Sequence, residues 1–470
     1  MTSNCDPMEP TYQFDLVCIG SGPAGQRAAV QAAKLGSRVA IVEKCRSVGG
    51  VCLDTGTIPS KTIREAVLSF SGNGAVLGRR GIQTPPDADH LLERVAHVVS
   101  QEAAVIEHQL RRNGVEVIVG HASFLDPHTL VVRAGDSWRE ITAKNILIAV
   151  GTVPAPSLGM AADGVSIVTS DDIVRLPLIP KTLTVVGAGV IGTEYASIFA
   201  ALGVGVTLVD KRRRPLEFLD EEIVDELLHQ LRRRNLIFRP GETVDRLDVS
   251  EGPPKRVVIH LESGKRIVSD MALFSVGRIG ATAQLDLNLA GLKADERGRL
   301  QVDDQFRTAV PHIYAAGDVI GHPSLAATSS EQGRLAACYA LDTPVSKMRQ
   351  HFPIGIYSIP EISMVGEPEH ELTRQKIPYE VGIARYREIA RGQILGDDSG
   401  FFKMLFHRED RRLLGVHIIG TGATELLHIG QTVLGLGAGL DYFMETVFNY
   451  PTLAECYKVA ALNAANKLAV

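Results

Sequence analysis

The chain has 470 residues, which is too long for a single hydrophobic core and predicts about three domains. Its hydrophobic share of 45% and charged share of 22% are typical of a globular protein, and its net charge of −5 argues against a nucleic-acid partner. The longest uncharged stretch, 146–162, contains two glycines and two prolines. It is interpreted as a strand with a loop, so no membrane partner is predicted.

The N-terminus and the cysteines bear on the cellular compartment. The first residues, MTSNCDPMEP, contain no basic segment followed by an apolar one, so no secretory signal peptide is predicted. The cysteines do not have the spacing of a metal site and are predicted to be reduced thiols. They are Cys5, Cys18, Cys45, Cys52, Cys338 and Cys456. We therefore expect a cytoplasmic protein without a bound metal.

The first predicted elements form an internal repeat. A strand at 16–19, a glycine turn, a helix at 24–34 and a strand at 39–43 are followed much later by the same series, with its strand at 183–186 and its helix at 191–201. The segment DLVCIGSGPAG resembles TLTVVGAGVIG, and every matched pair, such as Gly20 and Gly187, is 167 positions apart. Gly36 and Gly203 are expected to end the two helices.

Each copy carries the fingerprint of a dinucleotide-binding turn. The glycines permit a tight turn and a close approach of the backbone to a pyrophosphate, and the start of the following helix offers unpaired N–H groups to the phosphates. The acid that ends each second strand, Glu43 or Asp210, can accept hydrogen bonds from a ribose. The glycines are Gly20, Gly22 and Gly25 in the first copy and Gly187, Gly189 and Gly192 in the second.

The remaining elements suggest how the domains are arranged. The segment HIYAAGD at 312–318 is expected to return the chain to the first nucleotide-binding domain, and the stretch 352–361 is expected to begin a third domain. Strands at 402–406 and 413–419, then helices at 424–435 and 452–468, predict an α+β architecture for that last part. The predicted domain limits are 12–160, 161–280, 281–350 and 351–470.

Several further motifs identify a family. They are GGVCLDTGTIPSK, AVGTVP, SVGRIGAT, HIYAAGD and NYPTLAE, which begin at residues 49, 149, 275, 312 and 449. With these motifs the chain resembles the FAD-containing pyridine nucleotide-disulfide oxidoreductases over nearly its whole length. The resemblance implies an α/β fold with two Rossmann-like domains, for FAD and for NAD(P), and a C-terminal α+β dimerisation domain. It also implies a homodimer or a higher homo-oligomer.

The resemblance assigns roles to individual residues. Lys61 and Glu194 would be the catalytic residues, with Lys61 beside the flavin and paired with Glu194. FAD would be bound by Gly20, Gly22, Gly25, Glu43, Lys44, Gly50, Cys52, Thr57, Lys61, Ala122, Gly151, Gly317 and Asp318. NAD(P) would be bound by Gly187, Gly189, Gly192, Glu194, Asp210, Arg212 and Gly277.

Two departures from the family pattern affect the same half-reaction. Disulfide reductases need GGxCxxxxC, but here Cys52 is followed by Thr57 where the second cysteine belongs. They also need the histidine of HPxxxE, but here the matching segment is YPTLAE, in which Tyr450 takes the place of the histidine before Glu455. A phenol with a pKa of about 10 is a poor base. A relay to a disulfide is therefore lost, while hydride exchange between nicotinamide and flavin is retained.

The same substitutions are typical of one subfamily, the soluble pyridine nucleotide transhydrogenases, which the chain resembles closely. That resemblance implies reversible ping-pong transfer of hydride from NADPH to NAD⁺ through FAD. The use of both NAD and NADP fits the residues that end the second copy. Asp210 favours NAD, and the basic run 211–214 beside it suits the 2′-phosphate of NADP. Such a run can also be a solvated loop. Two alternatives stay open: an FAD oxidoreductase that uses oxygen or a quinone, with Cys52 as a sulfenic acid, and a degenerate non-catalytic flavoprotein.

Overall fold

The computed structural model describes residues 11–71, 88–156, 162–176, 178–250, 252, 255–349 and 351–468. Cys5 and part of the predicted loop, 157–161, therefore lie outside the described residues. The chain forms two compact units. The first unit comprises Met1–Pro59, His97–Val153 and Arg278–Met348, and the second comprises Ser60–Ala96, Pro154–Gly277 and Arg349–Val470.

The first unit is built on a seven-stranded sheet with a parallel and an antiparallel part. The parallel part has the order Glu116–Val119, Val39–Glu43, Phe14–Ile19, Ser137–Ile148 and Ile313–Ala315. The long strand Ser137–Ile148 continues into the antiparallel part, where it is followed by Thr129–Ala134 and His121–Asp126. Val39–Glu43 and Ile313–Ala315 are entirely buried and Phe14–Ile19 is buried over its last four residues, whereas the edge strand Glu116–Val119 buries only Ile118. The central strands are therefore typical of a sheet covered on both faces.

Helices cover this sheet, and two of them pack very closely. Pro23–Lys34 lies against Ala326–Ala340 with a glycine at the contact, because a Cβ atom on Gly333 would lie 2.0 Å from the carbonyl oxygen of Ala24. The core between helices and sheet is made of small and aliphatic side chains such as Leu16 and Ile41. Further elements that begin or lie in this unit are the helices Gly50–Asp54 and Thr57–Ser71 and the strand pair Thr152–Pro154 and Arg278–Gly280. The helix Ala88–Arg112 runs across the limit at residue 97.

The second unit contains a five-stranded parallel sheet of the second repeat copy. Its order is Ile237–Pro240, Gly205–Asp210, Thr182–Val186, Met271–Phe274 and Ile167–Thr169. The helices Val190–Ala201 and Glu221–Arg233 belong to this part, and Val190–Ala201 is buried along almost its whole length. A separate antiparallel sheet consists of Val244–Val249, Val257–Leu261 and Arg266–Ser269.

The C-terminal part of the second unit is an antiparallel sheet backed by helices. The sheet order is Ile354–Ile356, Ile362–Gly366, Leu413–Ile419, Phe401–His407 and Tyr379–Arg385. The helices are Glu369–Gln375, Ala390–Leu395, Ala423–Gly435, Leu440–Glu445 and Glu455–Leu468. An aromatic cluster fills the space between them, with Tyr457 against Phe402 at 4.6 Å and against Phe443 at 5.2 Å between ring centroids.

A buried ionic cluster joins the helix Glu221–Arg233 to this antiparallel sheet. Lys403, on the strand Phe401–His407, is completely buried, and its ammonium lies 3.0 Å from Asp220 and 2.7 Å from Glu222. It also contacts Glu369. Asp220 caps the helix by accepting a hydrogen bond from the backbone N–H of Glu222. The cluster therefore fixes the start of a helix of the parallel-sheet part to a strand of the C-terminal part.

The observed elements agree with most of the predicted ones. The strands and helices of both repeat copies are present, and Gly36 and Gly203 have φ values of +86° and +85° just after the two helices. The last helix was predicted from residue 452 but begins at Glu455, and the strands before residue 401 in this part were not predicted. None of the helices in the described ranges is long and apolar enough to span a bilayer.

Candidate functional site

In both repeat copies the first and third glycines are required by the fold of the turn itself. Gly20 has a φ of +102°, and a Cβ atom on it would lie 2.5 Å from a backbone oxygen. A Cβ atom on Gly25 would lie 1.9 Å from the carbonyl oxygen of Gly20. Gly187 and Gly192 repeat this arrangement, with a φ of +101° and the same separation of 1.9 Å. These four glycines allow the helix to start close to the strand.

The second glycine of each turn has a different explanation. Gly22 and Gly189 have ordinary φ values of −65° and −77°, and a Cβ atom on either would meet nothing within 4 Å. Neither the backbone conformation nor the packing of the protein therefore requires glycine there. Each lies at the start of a helix, next to open space and unpaired N–H groups, which fits the pyrophosphate of a dinucleotide.

The acids that end the second strands are held by equivalent hydrogen bonds. Glu43 accepts bonds from the backbone N–H groups of Ser21, at 2.9 Å, and Cys45, at 3.0 Å. Asp210 accepts bonds from the backbone N–H groups at the matching positions, Ala188 at 2.6 Å and Arg212 at 2.7 Å. Both carboxylates are thus fixed beside the glycine turn, where a ribose would be bound.

The side chains around the two acids differ. Ser21 donates its hydroxyl to Glu43 at 2.6 Å, whereas the guanidinium of Arg212 forms a two-pronged pair with Asp210 at 2.9 and 2.7 Å. Burial raises the pKa of the Asp210 carboxyl, but the bonds from Arg212 and Ala188 outweigh burial and hold that pKa below its ordinary value. The second site therefore presents a carboxylate whose charge is balanced by an arginine.

The other predicted FAD residues belong to the first unit, apart from Lys61. Gly50 lies against the first turn, because a Cβ atom on it would be 2.8 Å from the Cα of Gly22. Cys52 and Thr57 are half-buried, Lys44 is exposed, and Ala122 is buried in the strand His121–Asp126. Gly151 and Gly317 have φ values of +66° and +83°.

Asp318 follows Gly317, and its surroundings disfavour the charged form of its carboxyl group. Burial raises its pKa, and the hydroxyl of Ser329, at 3.4 Å, and the charge of Arg278 oppose this only in part. A half-buried carboxylate of this kind fits a partner that brings hydroxyl donors, such as the ribityl chain of FAD. In the second unit, Gly277 is exposed with a φ of +121°, and its carbonyl accepts a bond from the N–H of Ala155.

Lys61 and Glu194 form an ion pair within the second unit. The distance between Nζ and Oε2 is 2.8 Å, and the side chains are 25% and 5% exposed. Lys61 comes from the helix Thr57–Ser71 and Glu194 from Val190–Ala201, so the pair joins residues far apart in the sequence. The ammonium also lies 3.3 Å from the hydroxyl of Ser60. A charged lysine held by a buried carboxylate can stabilise negative charge on a bound group.

A segment around Tyr357, for which the sequence predicted no role, also contacts this pair. The backbone N–H of Tyr357 donates to Oε1 of Glu194 at 2.8 Å, and its ring lies 4.9 Å from the ammonium of Lys61. Arg64 pairs with Glu361 at 3.0 Å and is almost fully buried. The available signal was the aromatic residue between isoleucine and serine in IYSIPE, a stretch that was interpreted as the start of a domain and as part of the family resemblance, with no role for Tyr357.

The structure also places the segment that carries the histidine and the glutamate in disulfide reductases, here Tyr450 and Glu455. Tyr450 is 68% exposed, and Oε2 of Glu455 is buried without a hydrogen-bond partner among the described residues. The carboxylate that would orient a histidine is therefore present, but no imidazole stands at position 450 to be oriented.

Comparison with known families agrees with this geometry. Residues 14–333 match the pyridine nucleotide-disulphide oxidoreductase family, and residues 352–461 match the dimerisation domain of that family. The chain belongs to the pyridine nucleotide-disulphide oxidoreductases. The dimerisation-domain match also supports a homo-oligomer.

Individual relatives cover almost the whole chain. A Mycobacterium bovis BCG Pasteur protein named soluble pyridine nucleotide transhydrogenase is 52% identical over 464 residues, which are 97% of this chain and 98% of that protein. Proteins of the same name from Chromohalobacter salexigens and Colwellia psychrerythraea are 46% and 43% identical, over 97% and 98% of this chain and 99% and 100% of theirs.

Solved structures show the same fold at lower identity. The HOCl-induced flavoprotein disulfide reductase RclA from Escherichia coli is 26% identical, with a TM-score of 0.86 over 95% of this chain and 99% of that chain. LpdA from Mycobacterium tuberculosis is also 26% identical, with a TM-score of 0.87 over the same shares.

These comparisons confirm three predictions: the family, the oxidoreductase class, and the α/β fold with two Rossmann-like domains and a C-terminal α+β dimerisation domain. The roles of the individual site residues and the domain limits stay predictions.

Proposed function

We propose that the chain is a flavoprotein transhydrogenase, which binds FAD at the first repeat copy and uses NAD(H) and NADP(H) in turn at the second. The observation that carries the proposal is the pair of helix starts at Gly22 and Gly189, where glycine leaves open space that the protein does not fill. Relatives at 43–52% identity carry the name soluble pyridine nucleotide transhydrogenase, which supports the same activity.

The residues around each turn bind and orient. At the first copy the N–H groups that begin the helix Pro23–Lys34 would bind the FAD pyrophosphate, and Glu43 would accept bonds from the adenosine ribose. Asp318 would accept bonds from the ribityl hydroxyls. When bound, FAD supplies the chemistry of accepting and returning hydride.

Lys61 and Glu194 would supply the charge that the reaction needs. We propose that the Lys61 ammonium stabilises the negative charge that the flavin would acquire on reduction, while Glu194 holds this ammonium in place. Neither residue has to transfer a proton for hydride to pass between flavin and nicotinamide. The loss of a base at Tyr450 is therefore compatible with the activity.

The two-pronged pair between the Arg212 guanidinium and the Asp210 carboxylate, called the clamp below, supports the use of both nicotinamide dinucleotides. A bare carboxylate at this position would repel the 2′-phosphate of NADP, but here the arginine balances its charge. With NAD, Asp210 would accept bonds from the ribose hydroxyls. With NADP, the guanidinium of Arg212 could turn from Asp210 to the 2′-phosphate, to which its planar fork is suited.

Anaerobic stopped-flow spectroscopy tests the proposal. NADPH should bleach the flavin absorbance of the purified protein, and NAD⁺ added afterwards should restore it. Steady-state transfer from NADPH to thio-NAD⁺ should show the parallel double-reciprocal lines of a ping-pong mechanism. Flavin that NADPH never bleaches would refute the proposal and leave the non-catalytic flavoprotein, and rapid oxygen uptake without transfer to thio-NAD⁺ would favour the oxidase.

The proposal also includes an oligomeric state and a cellular location. The homo-oligomer is proposed to be a homodimer formed through residues 352–461, which match the dimerisation domain. A cytoplasmic location is proposed, since both NAD(H) and NADP(H) are available there. Sedimentation of the FAD-loaded protein tests the first feature, and fractionation of cells that express it tests the second.

A further inference from the structure

The Lys61–Glu194 pair is held in place by a segment from a distant part of the sequence. Both carboxylate oxygens of Glu194 are used, Oε2 by the ammonium of Lys61 and Oε1 by the backbone N–H of Tyr357, each at 2.8 Å. Because the second donor is a main-chain group, it fixes the direction of the carboxylate whatever the side chain at 357. Glu194 cannot follow Lys61 if the lysine moves.

The backbone of this segment is itself anchored at several points. The carbonyl of Ser358 accepts a bond from Nε of Arg64 at 3.1 Å, and the N–H of Ile359 donates to Ser197 at 3.0 Å. The carbonyl of Ile359 accepts a bond from Arg234 at 2.6 Å. Ser358 is completely buried. The segment therefore presents Tyr357 from a rigid frame rather than from a mobile loop.

The ring of Tyr357 faces two cations. Its centroid lies 4.9 Å from Nζ of Lys61 and 6.0 Å from the guanidinium carbon of Arg64. Arg64 is fixed by its buried pair with Glu361, so the lysine is the cation whose position the ring can decide. A lysine side chain has four flexible bonds and, with one carboxylate on one side, can take several orientations. The ring occupies a second side and attracts the ammonium electrostatically.

We propose that Tyr357 is a positioning residue, whose ring holds the ammonium of Lys61 in a single orientation on Glu194. The expected effect on flavin reduction rests on the proposed function, whereas the expected effect on the position of the Lys61 ammonium does not. The hydroxyl has no part in it, because the attraction comes from the face of the ring. Tyr357→Phe should therefore behave as the wild type, and Tyr357→Leu should not.

The first test measures Lys61 directly and does not depend on turnover. Reductive methylation with formaldehyde and cyanoborohydride, followed by peptide mass spectrometry, gives the rate at which Lys61 is modified. In Tyr357→Leu and Tyr357→Met this rate should rise roughly three- to tenfold over the wild type, as loss of a cation–π contact implies, while Tyr357→Phe stays within about twofold. Bound FAD and the melting temperature are recorded for each variant, and Met retains volume if Leu fails to fold.

The second test measures the flavin reaction. The rate of flavin bleaching by saturating NADPH should fall by a similar factor in the Leu and Met variants, with little change in KM for NADPH, and the Phe variant should restore it. Equal methylation rates in the wild type and the Leu and Met variants would overturn the proposal, as would a Phe variant as impaired as Leu. Failure of the proposed function looks different, because the wild type itself would then show no bleaching while the methylation rates still separate the variants.

Discussion

Replacement of Lys403 by methionine probes the buried ionic cluster. The substitution keeps the length of the side chain but leaves Asp220, whose side chain is 1% exposed, without its cation. Removal of one partner from a buried ion pair typically costs about 3–5 kcal/mol. Asp220 retains two backbone donors, at 3.2 and 3.3 Å, and the half-exposed Glu222 can turn to water. We therefore expect the lower end of that range, about 3 kcal/mol.

Urea unfolding of the FAD-loaded protein, followed by far-UV circular dichroism, measures this cost. Lys347→Met is the matched control, since Lys347 and its partner Asp304 are 80% and 86% exposed, and it should cost about 0–1 kcal/mol. The double variant Lys403→Met with Asp220→Asn should recover much of the loss, because it leaves no uncompensated buried charge at position 220.

The pH dependence gives a second signature. Burial lowers the pKa of Lys403, but its carboxylate partners outweigh burial and raise it, so its stabilisation is present at neutral pH and is lost only as pH rises through that raised value. Burial raises the pKa of Asp220, but the neighbouring His417 and Lys403 hold it below its ordinary value. Its contribution is therefore present above the ordinary carboxyl pKa of about 4 and is lost as pH falls below it. This reasoning would be refuted if Lys403→Met were as stable as Lys347→Met. It would also be refuted if the unfolding free energy lost in Lys403→Met were the same at about pH 3 as at neutral pH.

Three further predictions concern the turns, the second site and the C-terminal core. Gly22→Ala should leave the melting temperature of the apoprotein unchanged but weaken FAD binding in flavin titrations, whereas Gly25→Ala should lower both, because its Cβ would lie 1.9 Å from a carbonyl oxygen. Arg212→Ala should raise KM for NADPH by about tenfold and change KM for NADH little, since it leaves Asp210 charged and removes the phosphate partner; equal changes for both would contradict the clamp. Tyr457→Phe removes a buried hydroxyl that accepts from a backbone N–H at 2.8 Å and donates to a carbonyl at 2.9 Å, so it should cost about 1–3 kcal/mol in urea unfolding; a loss no larger than the error would show that these bonds are replaced.

Much of the fold could be predicted because its signals are local. The glycine turns and the acids at Glu43 and Asp210 lie within one strand–helix–strand unit, so their spacing is sufficient to predict them. The last helix was predicted too early because Pro451 and Thr452 look like a helix start. Instead, the hydroxyl of Thr452 donates back to the carbonyl of Asn449 at 2.7 Å, and the helix begins at Glu455.

The contacts that were missed join residues that no local pattern connects. Tyr357 and Lys61 are nearly three hundred positions apart, and Lys403 meets Asp220 only once two sheets have formed. A fully buried lysine in the apolar strand FFKMLFH is itself an anomaly that predicts a partner, but the pattern does not say which. The clamp of Arg212 on Asp210 was missed for another reason: it depends on which way a flexible side chain turns.

The equivalent hydrogen bonds around Glu43 and Asp210 have a consequence for the history of the chain. A duplicated unit has retained the same main-chain donors for its acid, at positions 21 and 45 in one copy and 188 and 212 in the other. The main-chain frame around the acid is therefore common to both copies, whereas the acid and its side-chain partner differ: a glutamate with a serine hydroxyl in one copy, and an aspartate with an arginine in the other. A second dinucleotide specificity can thus be built on the same main-chain frame by changes of side chain, without new architecture.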